Sequence, residues 1–157
     1  MKITEPATML TDYALAAVAI TLGVRLWGPE WQSTPITLWA AGFFATAAAA
    51  ATGGTFHGFR NAFSENALIS LWNVTVFLIG LASGLMIAGA ATAPIGWSDP
   101  ATVWFIAGLA ASVTGLVVQQ SSWQLHRHFN HNDISHLIHI VALISFYIGA
   151  TSVMRND

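Results

Sequence analysis

The chain has 157 residues, of which 55% are hydrophobic and only 8% are charged, and its formal net charge is −2. Soluble domains carry about 25% charged residues, so the composition excludes an ordinary water-exposed surface and favours an integral membrane protein over a very apolar soluble one. With this net charge, the chain offers no basic surface that would bind nucleic acid. Cysteine is absent, which excludes disulfides and thiolate metal sites.

Five segments are long and apolar enough to cross a bilayer, which takes about 20 residues. The first segment contains Asp12 and continues past its small residues, so it is interpreted as a retained helix rather than a signal peptide. Asn132 or Asp133 is expected to cap the last helix. The sequence therefore predicts an all-α, single-domain bundle of five transmembrane helices, at about 8–27, 35–59, 66–90, 101–125 and 133–154.

Five spans place the two termini on opposite sides of the membrane. The side on which the first helix begins, called side A, receives Lys2, Arg60 and Arg127, whereas the other side receives Arg25 and Arg155. The positive-inside rule then favours a cytoplasmic side A. The expected location is a bacterial inner membrane, with membrane lipids and other membrane-protein subunits as partners.

All six histidines are expected near side A, because the second and fourth helices end there and the fifth begins there. His126, His128 and His131 fall at the predicted membrane interface. Three others are expected at one depth inside the bundle: His57, His136 and His139.

The spacing in the fifth helix sharpens this prediction. Ser135, His136 and His139 share one stripe, and Asp133, three residues before His136, could orient its ring. Three imidazoles at one level beside a carboxylate are typical of a zinc site that keeps a position open for water. The alternative interpretation is a tight helix crossing with a hydrogen-bonded histidine, because two glycines, Gly53 and Gly54, precede His57.

Two histidine motifs resemble those of the alkaline ceramidase and adiponectin-receptor superfamily, which are seven-helix, zinc-dependent membrane hydrolases of lipid amides. Phe56-His57 looks like the aromatic-histidine motif of an early helix in that family. The segment His136-Leu137-Ile138-His139 is similar to its last-helix His-x-x-x-His motif. The resemblance implies that His57, His136 and His139 are zinc ligands.

The chain also departs from that family pattern. Gly53 occupies the position of the family's serine, and the third helix offers Asn73 in place of an aspartate. The last-helix spacing is one residue shorter, and two helices are missing. The segment Phe129-Asn130-His131-Asn132-Asp133 resembles a signature of uncharacterised bacterial multi-pass membrane proteins, which implies no activity.

Two functions of different classes follow from these residues. The first is a membrane-embedded hydrolase of a lipid amide or ester, with zinc on His57, His136 and His139 and with Asp133 or Asp12 as a catalytic proton acceptor. The second is a non-catalytic subunit of a larger membrane complex that binds haem b or a chlorophyll-type pigment, or serves as a scaffold. A transporter is less favoured, because the other half of the bundle has few polar residues.

Overall fold

The chain folds, in this computed structural model, into five helices, and the structure describes residues 3–28, 33–121, 123–126 and 129–154. A two-stranded antiparallel hairpin lies between the fourth and fifth helices. The elements are α1 (Pro6–Leu26), α2 (Thr34–Gly58), a 3-10 turn (Arg60–Ala62), α3 (Glu65–Thr92), α4 (Pro100–Gln120), β1 (Gln124–His126), β2 (Phe129–Asn130) and α5 (His131–Met154). All five helices are long and apolar enough to cross a membrane, which confirms the predicted all-α membrane bundle.

Local chemistry explains where several helices begin. Pro6 and Pro100 stand at the first positions of α1 and α4, where a missing backbone N–H costs nothing. The Ser64 side chain accepts a hydrogen bond from the Ala67 amide and caps α3. These starts agree with the predicted segments to within two residues.

The end of α4 differs from the prediction, which placed it near residue 125. The helix stops at Gln120, and Ser121 takes an extended backbone conformation while its hydroxyl donates to the Val118 carbonyl. The same serine oxygen accepts from the Trp123 amide. Short hydroxyl side chains compete with the helix for backbone groups in this way, so the chain turns into β1 instead of continuing.

The start of α5 also differs from the prediction, because the helix begins at His131 and Asn130 is its cap. The Asn130 side-chain oxygen accepts from the Asn132 amide at 2.8 Å, and the Asp133 carboxylate accepts from the Asn130 amide at 2.7 Å. This reciprocal pair is a variant of the capping box. Neither Asn132 nor Asp133 is therefore the cap itself.

The helices pack in the lateral order α3, α2, α1, α5 and α4. Helix α1 is central and contacts α2 on one side and α5 on the other. Glycines bring α4 close to α5, because Gly108 faces the Phe146 ring and Gly115 faces the His139 ring. The outermost helices, α3 and α4, expose many of their large apolar side chains, as lipid-facing helices do.

Aromatic packing closes the end of the bundle opposite side A. The Trp39 ring lies 5.1 Å from that of Phe105, which in turn lies 6.3 Å from Phe146, so α2, α4 and α5 meet there. The Trp39 indole N–H donates to the Met86 carbonyl of α3 at 3.2 Å. Phe43, Leu26 and Ile36 are buried around these rings. This end is apolar, in contrast to side A.

Candidate functional site

Six ionisable side chains meet at side A, where α1 begins, α2 ends and α5 begins; five lie on these helices and one directly precedes α1. Glu5 and Asp133 lie near Asp12, and His57 and His139 lie near His136. Asp12 and His136 are in direct contact. These six residues form the polar cluster: Glu5, Asp12, His57, Asp133, His136 and His139.

The outer part of the polar cluster is a hydrogen-bonded pair between α2 and the segment that leads into α1. His57 Nδ1 lies 3.0 Å from Glu5 Oε2, and the two side chains are 18% and 34% exposed. The Thr4 amide also donates to the Gly58 carbonyl at 3.1 Å. These two contacts hold the segment before α1 against the end of α2. Glu5 is not among the predicted site residues, because a carboxylate before a predicted span is ordinary.

The inner part of the polar cluster is a carboxylate–imidazole–hydroxyl array. His136 Nε2 lies 3.2 Å from Asp12 Oδ1, and His136 Nδ1 lies 3.0 Å from the Thr11 hydroxyl. Thr11 also approaches the Ala7 and Thr8 carbonyls, at 3.1 and 3.0 Å. Its hydroxyl can donate to a neutral imidazole, or it can accept from an imidazolium while donating to its own helix. Thr11 was not selected from the sequence, although it is adjacent to Asp12.

His139 is held by its own helix and by α4. Its Nδ1 lies 2.8 Å from the Ser135 carbonyl, an acceptor only, so Nδ1 carries the hydrogen and donates it. A Cβ atom placed on Gly115 would lie 2.5 Å from the ring, so the imidazole fills the space that this glycine leaves open. His139 is consequently well fixed.

The three predicted zinc ligands therefore make separate sets of contacts. Both ring nitrogens of His136 face protein groups, while His57 and His139 use Nδ1 on Glu5 and Ser135. Across residues 3–28, 33–121, 123–126 and 129–154, no group of three histidine or acidic side chains is placed to hold a metal ion. The zinc site remains a prediction without support from this geometry.

Asp133 has a different partner from the one predicted. The prediction has it orienting His136, but the carboxylate accepts a hydrogen bond from the amide of Asn130, the cap of α5. Asp12 takes the orienting position instead. Of the remaining histidines, His126 lies in β1 and His131 opens α5, whereas His128 lies outside the described residues. Glu65 and Asn73 of α3 are exposed.

Two buried carboxylates in the polar cluster each keep one oxygen without a partner. Asp12 is 5% exposed and Asp133 is fully buried, and within the described part of the chain Asp12 Oδ2 and Asp133 Oδ1 make no hydrogen bond. Burying a polar atom without a partner costs roughly 1–3 kcal/mol. Such atoms in native proteins usually meet ordered water, an ion or a ligand. These two carboxylate oxygens of the polar cluster can therefore still accept hydrogen bonds.

The fold and the polar cluster define a five-helix membrane protein with a buried histidine–carboxylate site at one end. The chain belongs to a family of unknown function, DUF6962, whose profile matches residues 7–99 and 96–155. No curated protein and no solved structure matches it.

Proposed function

We propose that this protein is a membrane-embedded hydrolase of a lipid ester or amide, with Asp12 as its general base. The observation that carries the proposal is the state of the Asp12 carboxylate. One oxygen is held by His136 at 3.2 Å, and the other is buried and unpartnered. A fixed carboxylate with one free acceptor is suited to bind and deprotonate a water molecule.

Each neighbour of Asp12 has a definite role in this chemistry. Asp12 Oδ2 accepts a proton from water while the water oxygen attacks the carbonyl carbon. The proton then passes to the leaving oxygen or nitrogen as the ester or amide bond breaks. His136 positions the carboxylate through Oδ1, and Thr11 fixes the His136 ring from its other side. Water is the nucleophile here, because the Thr11 hydroxyl is engaged with two carbonyls of its own helix.

Zinc is the alternative source of an activated water, and its fit is incomplete. A histidine that ligates a metal usually donates its second ring N–H to a carboxylate or carbonyl, and the Nδ1 contacts of His57 and His139 have that form. His136 would have to release Asp12 or Thr11 before it could ligate, and no three-residue group stands ready among the described residues. The proposed chemistry therefore uses only groups of the chain.

The test is lipid hydrolysis by the purified protein in nanodiscs, with ester- and amide-linked fluorogenic lipids as substrates. General acid–base groups contribute about 10²–10⁴ in rate, so Asp12→Asn should lower kcat by at least about 100-fold. His136→Gln should lower it less, and the exposed His126→Gln is the matched control with full activity. Wild-type protein that cleaves none of the lipids, or an Asp12→Asn variant with full activity, would refute the proposal. If the purified protein contains stoichiometric zinc and its activity depends on that zinc, the metal mechanism replaces this proposal.

A second candidate function, a haem- or pigment-binding subunit, is supported by the way two rings are anchored. His57 and His139 both face an oxygen acceptor through Nδ1, which leaves Nε2 as the ligating nitrogen for iron or magnesium. The apolar outer faces of α3 and α4 could contact other subunits of a larger membrane complex. An absorbance spectrum of the purified protein separates the two candidates, because only this one gives a Soret or chlorophyll band.

A further inference from the structure

Three buried glycines near the end of α2 face α1: Gly53, Gly54 and Gly58. A Cβ atom on Gly58 would collide with the Met9 side chain. A Cβ atom on Gly54 would lie 3.0 Å from Asp12 Cβ and 3.3 Å from the Met9 carbonyl oxygen, so the two helices are in close contact there. Gly53 differs from both, because the atoms nearest to its Cβ position belong to the Asp12 carboxylate, with Oδ2 at 3.5 Å and Oδ1 at 3.6 Å.

The space beside Gly53 has room for about one non-hydrogen atom. A separation of 3.5 Å is an ordinary van der Waals contact, so an atom at the Cβ position would displace nothing. A hydrogen bond between two oxygens is about 2.7–2.8 Å long. An oxygen atom placed there would need to approach Oδ2 only from 3.5 Å to about 2.8 Å to form one. A water molecule has the size of this space, whereas an alcohol or a lipid linkage is larger.

The chemistry of Asp12 also favours water at this position. Asp12 is 5% exposed, its Oδ1 is held by His136, and its Oδ2 has no hydrogen-bond partner within the described part of the chain. A carboxylate oxygen accepts hydrogen bonds, and water can donate one. A divalent cation would need several further oxygen ligands. No group of three histidine or acidic side chains in the described ranges is placed to hold a metal ion.

We propose that Gly53 and Asp12 form a binding site for one water molecule, which donates a hydrogen bond to Asp12 Oδ2. The water fits because residue 53 has no side chain. Its role rests on the proposed function: the bound water is the nucleophile, and Gly53 is the positioning residue that lets it reach the general base. Towards side A, the buried Met9 and then the Glu5–His57 pair cover this site, so the water is separated from the bulk phase.

The test is Gly53→Ala in the purified full-length protein in nanodiscs. The added methyl group has room, so Tm should stay unchanged or rise slightly, because alanine favours a helix more than glycine does. The methyl group takes the place of the water, so kcat should fall as far as in Asp12→Asn, by at least about 100-fold. The infrared band of the Asp12 carboxylate, obtained by subtracting the spectrum of Asp12→Asn from that of the wild type, should shift as Oδ2 loses its hydrogen bond.

Two further glycine variants serve as controls. Gly84→Ala on α3 adds a methyl group that meets no atom within 4 Å, and it should leave kcat and the carboxylate band unchanged. Gly54→Ala should lower Tm, because its methyl group would press on Asp12 and on the backbone of α1. If Gly53→Ala lowers Tm as much as Gly54→Ala does, residue 53 has no room for a water molecule and the proposal is overturned.

An unchanged carboxylate band and full kcat in Gly53→Ala would overturn the proposal. A band that shifts with sodium concentration in the wild type would overturn it as well, because a cation would then be the occupant. The infrared measurement does not depend on turnover. A shifted band in Gly53→Ala without lipid hydrolysis by the wild type therefore refutes the hydrolase alone. Hydrolysis by the wild type that Gly53→Ala leaves intact refutes the water site alone.

Discussion

Gly115→Ala is the sharpest test of how the polar cluster is held. The added methyl group would lie 2.5 Å from His139 Cε1 and 2.7 Å from Nδ1, so the ring must move away from α4. That movement also threatens its 2.8 Å hydrogen bond to the Ser135 carbonyl. Overpacking costs about 1–3 kcal/mol, and alanine returns about 1 kcal/mol of helix propensity. The expected net loss in the free energy of unfolding is therefore about 0–2 kcal/mol.

Thermal unfolding in detergent measures this effect. For a chain of this size, each kcal/mol corresponds to about 2–4 °C in Tm, so a decrease of up to about 8 °C is expected. Gly84→Ala is the matched control, because a Cβ at that position on α3 meets no atom within 4 Å. It should leave Tm unchanged or raise it slightly. If both variants shift Tm equally, the packing of His139 against α4 is refuted.

Further predictions concern the hydrogen bonds and the metal. Thr11→Val should lower the free energy of unfolding by about 1–3 kcal/mol, because His136 Nδ1 loses its partner, and Thr11→Ser should retain it. Asn130→Ala should cost about 0.5–2 kcal/mol by removing the α5 cap, with the exposed Asn61→Ala as control. Removing metal with a chelator should leave Tm unchanged, whereas a structural zinc would stabilise the fold by mass action. Equal effects of Thr11→Val and Thr11→Ser would contradict the hydrogen bond to His136, and equal effects of Asn130→Ala and Asn61→Ala would contradict the α5 cap. A fall in Tm on adding chelator would contradict a metal-free fold.

The gathering of the polar cluster at side A could be predicted from the sequence, because it depends on the number of spans and the direction of each. Helix direction alone places His57, near the end of α2, beside His136, near the start of α5. The partner of each ring could not be predicted, because it depends on how each helix is rotated about its axis. Helices that are apolar on all sides give no periodic signal for that rotation. Thr11 was missed for this reason.

Asp133 shows a different limit of sequence-based reasoning. Its spacing of three residues from His136 fits a side-chain contact within a helix. The same spacing from Asn130 fits a capping interaction, and the structure shows the second arrangement. Buried aspartates near a helix start tend to satisfy backbone amides first, because those amides have no partner within the helix. The position of the helix start decides between the two, and the prediction placed that start two residues late.

The aromatic packing of Trp39, Phe105 and Phe146 has a consequence for the membrane itself. Beyond His139, the inward face of α5 continues with Leu143 and Phe146, and Ser145, a buried polar side chain at that level, donates its hydroxyl hydrogen to the Val141 carbonyl of its own helix. Ions and protons that reach the polar cluster from the aqueous phase at side A therefore meet an insulating layer about half a bilayer thick. The five helices can therefore contain charged groups within the membrane without letting ions or protons leak across it.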